Sequence, residues 1–197
     1  MIQFRDGFYA DVRTEDRSRT TITYKSGALE EMKTRVERRA FIRVYDGKMW
    51  YYSSVTDLAH LQKTLDGLYD AATPNADIQN DPVVRRFERN RDTLLSFADS
   101  SVRDIPSKDK QALLLSYLPL LSEDSCITMP RGTYLDRNSL FRFRSSLGAD
   151  ITYDYQTCGL SFSCDMTEGE KKFSGHWQKG ATRFDELKGL DDEIRAA

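Results

Sequence analysis

Residues 40–54 read AFIRVYDGKMWYYSS, and the fold class turns on whether this stretch doubles back on itself. β-Branched and aromatic residues run up to Asp46-Gly47, a dipeptide suited to a two-residue hairpin turn because both positions accept positive φ. MWYYSS is then the return strand. Alternation along the first strand puts Phe41, Arg43 and Tyr45 on one face and Ile42 and Val44 on the other, so one face is apolar enough to lie under a helix. That helix follows at once. Thr56 is a sound N-cap with Asp57 in the first turn, and Leu58, Leu61, Leu65, Leu68 and Ala72 form a single apolar stripe. His60 falls off the stripe and is expected in solvent.

Upstream, Tyr9–Arg13 and Thr20–Tyr24 are β-rich runs separated by a charged, turn-like stretch, which predicts two strands with a tight return. Within TITYK, Ile22 and Tyr24 point one way and Thr21 and Thr23 the other. Between these runs and the hairpin, Leu29, Met32 and Val36 recur at helical spacing among good helix formers, so pattern alone favours helix there. Downstream of the secure helix, TPNADIQNDPVVRRFERNRD reads as a connector whose Arg85, Arg86, Arg89 and Arg91 alternate with acids, as on a solvated helix face. A helix over KDKQALLLSYLPLL follows Pro106-Ser107 and should kink or end at Pro119. Short β runs come next (SCITM, SLFRFRSS, ADITYDYQ, GLSFSCDM, KKFSGHWQ), punctuated by glycines as in an antiparallel meander. TRFDELKGLDDEIRAA closes as an amphipathic helix, with Phe184, Leu187 and Ile194 available to dock.

The expected class is therefore α+β, with antiparallel strands in meanders and hairpins packed against a few helices. Residues 1–73 form a hairpin-plus-helix unit, 74–106 a connector, and 107–197 a second α+β unit. Similar turns in each part, Ser26-Gly27 and Ser146–Gly148, suggest two related halves.

Charge narrows the function classes. With 29 basic and 31 acidic residues the net charge is −2, so bulk charge gives no reason to expect a nucleic-acid or anionic-membrane partner. No uncharged apolar run approaches the roughly 18 residues that cross a bilayer, and MIQFRDGFYADVR carries acids and arginines where a signal peptide needs apolar residues. The expected location is cytoplasmic. Cys126, Cys158 and Cys164 are odd in number and contain no C-x-x-C pair, which argues against a disulfide framework or a thiolate zinc knuckle. A nucleophilic cysteine would need a histidine, and only His60 and His176 exist. Phosphate-binding glycine loops, G-x-S-x-G elbows and zinc-helix spacings are absent. Glu30-Glu31 and Asp191-Asp192 are adjacent in sequence and so face apart. No catalytic residue and no metal ligand is assigned.

The order of the pieces carries more information than any one of them. YADVR (9–13), SGALEEM (26–32), FIRVYDGKMWYYSSVTDLAHLQKTLDGLYDAA (41–72) and SLFRFRSSLGADITYDYQTCGLSFS (139–163) together resemble the amino-terminal part of the TldD/PmbA family, metallopeptidases often labelled modulators of DNA gyrase. The resemblance implies a long strand over residues 28–45, overriding the helical spacing there. In the family, a His-Glu-x-x-x-His helix and a carboxy-terminal cysteine hold zinc. This chain has no such motif, so the resemblance implies no cofactor here, zinc only in a carboxy-terminal part absent from this sequence, and no activity of the chain alone. Arg39-Ala40 stand where relatives usually place a glycine. The family's amino-terminal domains wall a cleft that presents unfolded peptide to the zinc, and subunits pair as homo- or hetero-dimers with a paralogue. Arg43, Trp50 and Tyr52 become the candidate peptide or partner contacts. The alternative is a stand-alone binding module whose aromatic and arginine sheet face, LFRFR and MWYYS, takes single-stranded nucleic acid or a protein partner. Acids interleaved with the arginines weigh against nucleic acid.

Overall fold

The computed structural model describes residues 2–123 and 125–196. It is α+β, mostly antiparallel strand with few helices. Seven strands occur among the described residues: β1 Tyr9–Lys25, β2 Ala28–Tyr45, β3 Trp50–Val55, β4 Arg91–Leu94, β5 Arg131–Ser145, β6 Asp150–Glu168 and β7 Lys171–Ala181. The helices are α1 Leu61–Ala71, α2 Ser107–Tyr117 and α3 Asp191–Arg195, with short 3-10 turns between. The hydrogen-bonded strand order is β3-β2-β1-β5-β6-β4, and β7 pairs with β6. Contacts divide the chain into two compact units, residues 1–17, 37–96 and 139–154 in the first and 18–36, 97–138 and 155–197 in the second. Each of β1, β2, β5 and β6 contributes residues to both.

In the first unit β2 and β3 form the antiparallel hairpin, Ala40 opposite Val55 and Tyr45 opposite Trp50. Ile42 and Val44 are fully buried with Ala10, Val12, Leu61 and Leu65, so the apolar face does lie under α1. Leu58, Leu68 and Ala72 pack at the margin of that core, as the stripe requires. Two local details differ from expectation. Asp57, not Thr56, caps the helical segment: its carboxylate accepts from the Ala59 N–H (3.0 Å), opening a 3-10 turn Leu58–His60 that leads into α1. The hairpin turn is also not a two-residue one, since Asp46–Met49 lie between the strands and only Gly47 has positive φ. Asp46 instead uses its side chain, accepting from the N–H groups of Lys48 and Met49 (2.8 Å each) and from the Tyr51 hydroxyl (3.2 Å). Burial alone would raise its carboxyl pKa, but these donors hold it below the usual carboxylate range.

β1 corrects a further expectation, because it runs unbroken where two strands with a tight return were predicted. Its charged middle survives as strand because one cross-strand and one same-strand arginine accommodate it; Glu15 accepts from Arg39 Nε on β2 (2.6 Å) and from Arg17 Nε on β1 itself (2.9 Å). The tight return lies at Ser26-Gly27, both at positive φ (48° and 79°), the geometry of a two-residue hairpin turn. β2 then begins at Ala28, so residues 28–36 are strand and not helix. The basic stretch after α1 forms 3-10 turns at Ile78–Asn80 and Val84–Arg86 and then β4, which runs parallel to β6, where a helix face was expected.

In the second unit α2 stops at Tyr117 and continues as a 3-10 turn containing Pro119. Leu114, Tyr117, Tyr134, Leu160 and Phe162 form its core with Phe184, Leu187 and Ile194, the docking residues of the carboxy-terminal segment. That segment is not one helix: Gly189 at φ 70° separates a 3-10 turn Phe184–Leu187 from α3. SCITM contributes only an isolated bridge, Ile127 to Met166. GLSFSCDM does not start a new strand, because β6 passes straight through Gly159. A Cβ there would come within 2.8 Å of the Lys179 carbonyl oxygen, so glycine permits a close approach of backbones.

Cys158 sits in this core, 4 % exposed. Burial, with Asp136 and Glu186 nearby, pushes its thiol up to about 12. Iodoacetamide at pH 8 should therefore leave Cys158 unlabelled in the folded chain, reacting roughly a thousandfold slower than an unperturbed thiol. Cys126 and Cys164, both half-buried, take up label first. Intact mass before and after denaturation checks this, and three rapid equivalents on the folded chain would contradict it.

Candidate functional site

The hairpin face opposite α1 carries Phe41, Arg43 and Tyr45 of β2 opposite Ser54, Tyr52 and Trp50 of β3. On it, Arg43 grips Asp11 through Nε (3.1 Å) and Nη2 (2.6 Å), and its guanidinium lies 4.8 Å from the Trp50 ring centroid. Asp11 is 2 % exposed and also accepts from the Tyr9 hydroxyl at 3.1 Å. The hydrogen bond that Arg43 donates to Asp11 stabilises its charged guanidinium. Burial first and then Asp11 raise the Tyr9 phenol well above its ordinary range, keeping it a donor. Tyr9 stacks on Phe87 at 4.5 Å, and Trp50 stacks on Tyr45 at 4.8 Å.

The three predicted contact residues therefore part company. Arg43 and Trp50 are brought together in a packed cation–π and ion-pair cluster, whereas Tyr52 is 69 % exposed. Tyr52 pairs with Arg43 in the ladder and its ring lies 6.3 Å from Phe41, which is also exposed. Farther along the same face is an open recess of about 480 Å³ lined by Arg13, Glu15, Arg39, Phe41, Ser54 and Phe141. Its floor carboxylate, Glu15, is 7 % exposed and fully engaged: Oε1 accepts from Arg17 and the Ser139 hydroxyl (3.0 Å), and Oε2 from Arg17 and Arg39. Arg13 is exposed, rests 5.8 Å over the Phe143 ring, and has no carboxylate partner among the described residues. Phe141 stacks on Tyr153 at 4.9 Å.

Arg13 and Arg39 escaped the sequence reading as contact candidates, while Phe141 entered it only within LFRFR. YADVR already put Arg13 on the face of Tyr9 and Asp11 by alternation, but nothing local told which strand would supply the facing aromatics. The residues suited to chemistry stay apart. His60 is exposed and pairs with Asp57 at 2.8 Å. Cys164 is opposite Gly175 and His176 opposite Ser163 in the β6–β7 ladder, so the cysteine and histidine side chains project from opposite faces. Among the described residues no group of three or more His, Cys, Asp or Glu side chains is arranged to hold a metal ion. Nor, among them, is any helix long and apolar enough to cross a membrane.

Residues 10–72 match the family model of PmbA/TldA metallopeptidase domain 1. No curated protein matches the chain in sequence. Solved structures do resemble it in fold. A "putative modulator of a DNA gyrase" from Thermotoga maritima superposes with a TM-score of 0.71 at 16 % identity, over 96 % of this chain and 42 % of that one. A protein of like description from Bacteroides thetaiotaomicron gives 0.68 at 16 %, over 94 % and 44 %. TldE from Thermococcus kodakarensis gives 0.68 at 8 %, over 95 % and 42 %. At these identities the likeness speaks for the fold, and this chain spans less than half the length of each of the three. The resemblance to the amino-terminal region of the TldD/PmbA family, and with it the long strand over residues 28–45, is borne out.

Proposed function

We propose that this chain, which resembles a TldD/PmbA amino-terminal region, is the non-catalytic portion of a cytoplasmic zinc metallopeptidase, forming part of its peptide cleft and its dimer scaffold. One observation carries the reading. The matched segment, residues 10–72, is also the segment that presents exposed Phe41 and Tyr52 on an open sheet face. β3 stands at one end of the strand order with β2 as its only neighbour among the described residues, and an extended peptide adds readily to such a free edge. In this reading zinc and turnover reside in a carboxy-terminal part, and the chain holds a homo- or hetero-dimer with a paralogue together.

The rival reading, single-stranded nucleic acid on the same face, finds less support. Arg43 and Arg39 are already engaged by Asp11 and Glu15, and Arg142 by Asp150 at 2.7 Å. Fluorescence anisotropy with a labelled, unstructured peptide, run beside an oligonucleotide over a salt series, separates the two. Peptide binding that weakens about fivefold or more in Tyr52→Ala, with no salt-steep oligonucleotide binding, is expected. Tight stoichiometric zinc binding or peptidase activity by the purified chain would overturn the proposal.

A further inference from the structure

We infer that the recess beside the hairpin is a subsite for an acidic side chain of an extended peptide, with Arg13 as the residue that reads its charge. The inference rests on the peptide-cleft reading and goes beyond it by naming the chemistry selected.

Charge supply and demand around the recess do not balance. Two guanidinium groups, Arg13 and Arg39, line the recess with one carboxylate, Glu15, which also takes Arg17 from outside the lining. That carboxylate already accepts three hydrogen bonds from Arg17 and Arg39 and one from Ser139, with Arg39 Nη2 also in ion-pair contact, so its lone pairs are spent inward. Glu37 approaches Arg17 only at 3.9 Å and is itself half exposed, which relieves the excess little. Arg13 is left as a cation with an aromatic ring behind it and the recess in front. A ring-backed guanidinium is pre-organised to accept a carboxylate as a planar fork, losing less side-chain entropy than a free lysine would. Phe41 and Phe141 wall the same space, so the group that fits carries an apolar stem or neighbour beside its negative charge. Ser54, small and on the edge strand β3, leaves the entrance open from the side where a peptide would pair. A lysine or arginine side chain is excluded by the same surplus of positive charge.

A capped hexapeptide with one glutamate following a phenylalanine serves as probe, with glutamine and lysine counterparts. The glutamate peptide should bind about tenfold more tightly than the glutamine peptide and more tightly still than the lysine peptide. In Arg13→Gln that preference disappears while affinity for the glutamine peptide stays; Phe41→Ala weakens all three. Arg13 is exposed and outside every buried cluster, so circular dichroism should show the variant folded. Equal affinity for the glutamate and glutamine peptides, with both bound, overturns the acidic subsite and leaves the peptide-cleft reading standing. A glutamine peptide with a free carboxy terminus that binds as tightly as the capped glutamate peptide overturns the side-chain assignment. No binding of any peptide overturns both readings.

Discussion

Asp136→Ala is expected to cost the chain about 3–5 kcal/mol of stability, the range found when one partner of a buried ion pair is removed. Lys110 and Asp136 side chains are 2 % and 1 % exposed and meet at 2.6 Å. The carboxylate does more than neutralise the ammonium: it accepts from the Thr20 N–H at 2.9 Å and from the Tyr134 hydroxyl at 2.9 Å, while Lys110 Nζ also donates to Thr20 Oγ1 at 3.3 Å. Alanine at 136 would strand an ammonium, an amide and a phenol, each without water to replace the lost partner. Removing both charges at once, in Lys110→Met/Asp136→Leu, should lose distinctly less than the single change, because the desolvation of the pair disappears together with its attraction. Urea titration followed by Trp177, which stacks on Phe162 in the same unit at 5.6 Å, reads both in a Trp50→Phe background. A single variant within about 1 kcal/mol of the parent would mean that water reaches the pair.

This cluster also marks where the sequence stops being legible. In KDKQALLL, Lys108 and Lys110 look alike, and only the fold turns Lys110 inward to a carboxylate on β5. The hairpin and α1 were readable because their signals are local: period-two alternation around Ile42 and Val44, and helical spacing of four and then three residues through Leu61, Leu65 and Leu68. β1 was not, since the acceptability of its charged middle depends on Arg39 from another strand. Residues 28–36 of β2 are exposed throughout, so no buried face imposes alternation there, and the helix-forming composition of the segment is overridden by strand pairing. The compact units draw on separated stretches of chain, a property of long strands that turn signals do not report. At the candidate site, composition drew attention to the hairpin face; register, which decided that Arg43 meets Asp11 while Arg13 lines the recess, was invisible.

Arg43→Ala should destabilise the first unit by about 2–3 kcal/mol, whereas Tyr52→Ala should stay within about 0.5 kcal/mol of the parent. Both residues stood as contact candidates, and the difference follows from what each touches. Arg43 satisfies Asp11 with two donors and stacks on Trp50; its loss leaves a carboxylate that is 2 % exposed with, among the described residues, only the Tyr9 hydroxyl as a side-chain donor. A third of the Arg43 side chain is open to solvent, which admits some water and trims the loss below that of a fully buried pair. Arg43→Lys should recover only part of it, because an ammonium supplies neither the planar fork nor the same stack. In the double variant Asp11→Asn/Arg43→Ala the loss should fall short of the sum of the singles, as it must for residues acting on one another. Urea unfolding followed by Trp50 in a Trp177→Phe background measures the set, and peptide anisotropy on the same proteins supplies the complementary axis. A structural Arg43 lowers the unfolding midpoint and leaves the affinity of the folded protein for peptide unchanged; a contact Tyr52 does the reverse. Arg43→Ala that unfolds like the parent but binds peptide more weakly would move Arg43 from the scaffold of this face to its reading surface.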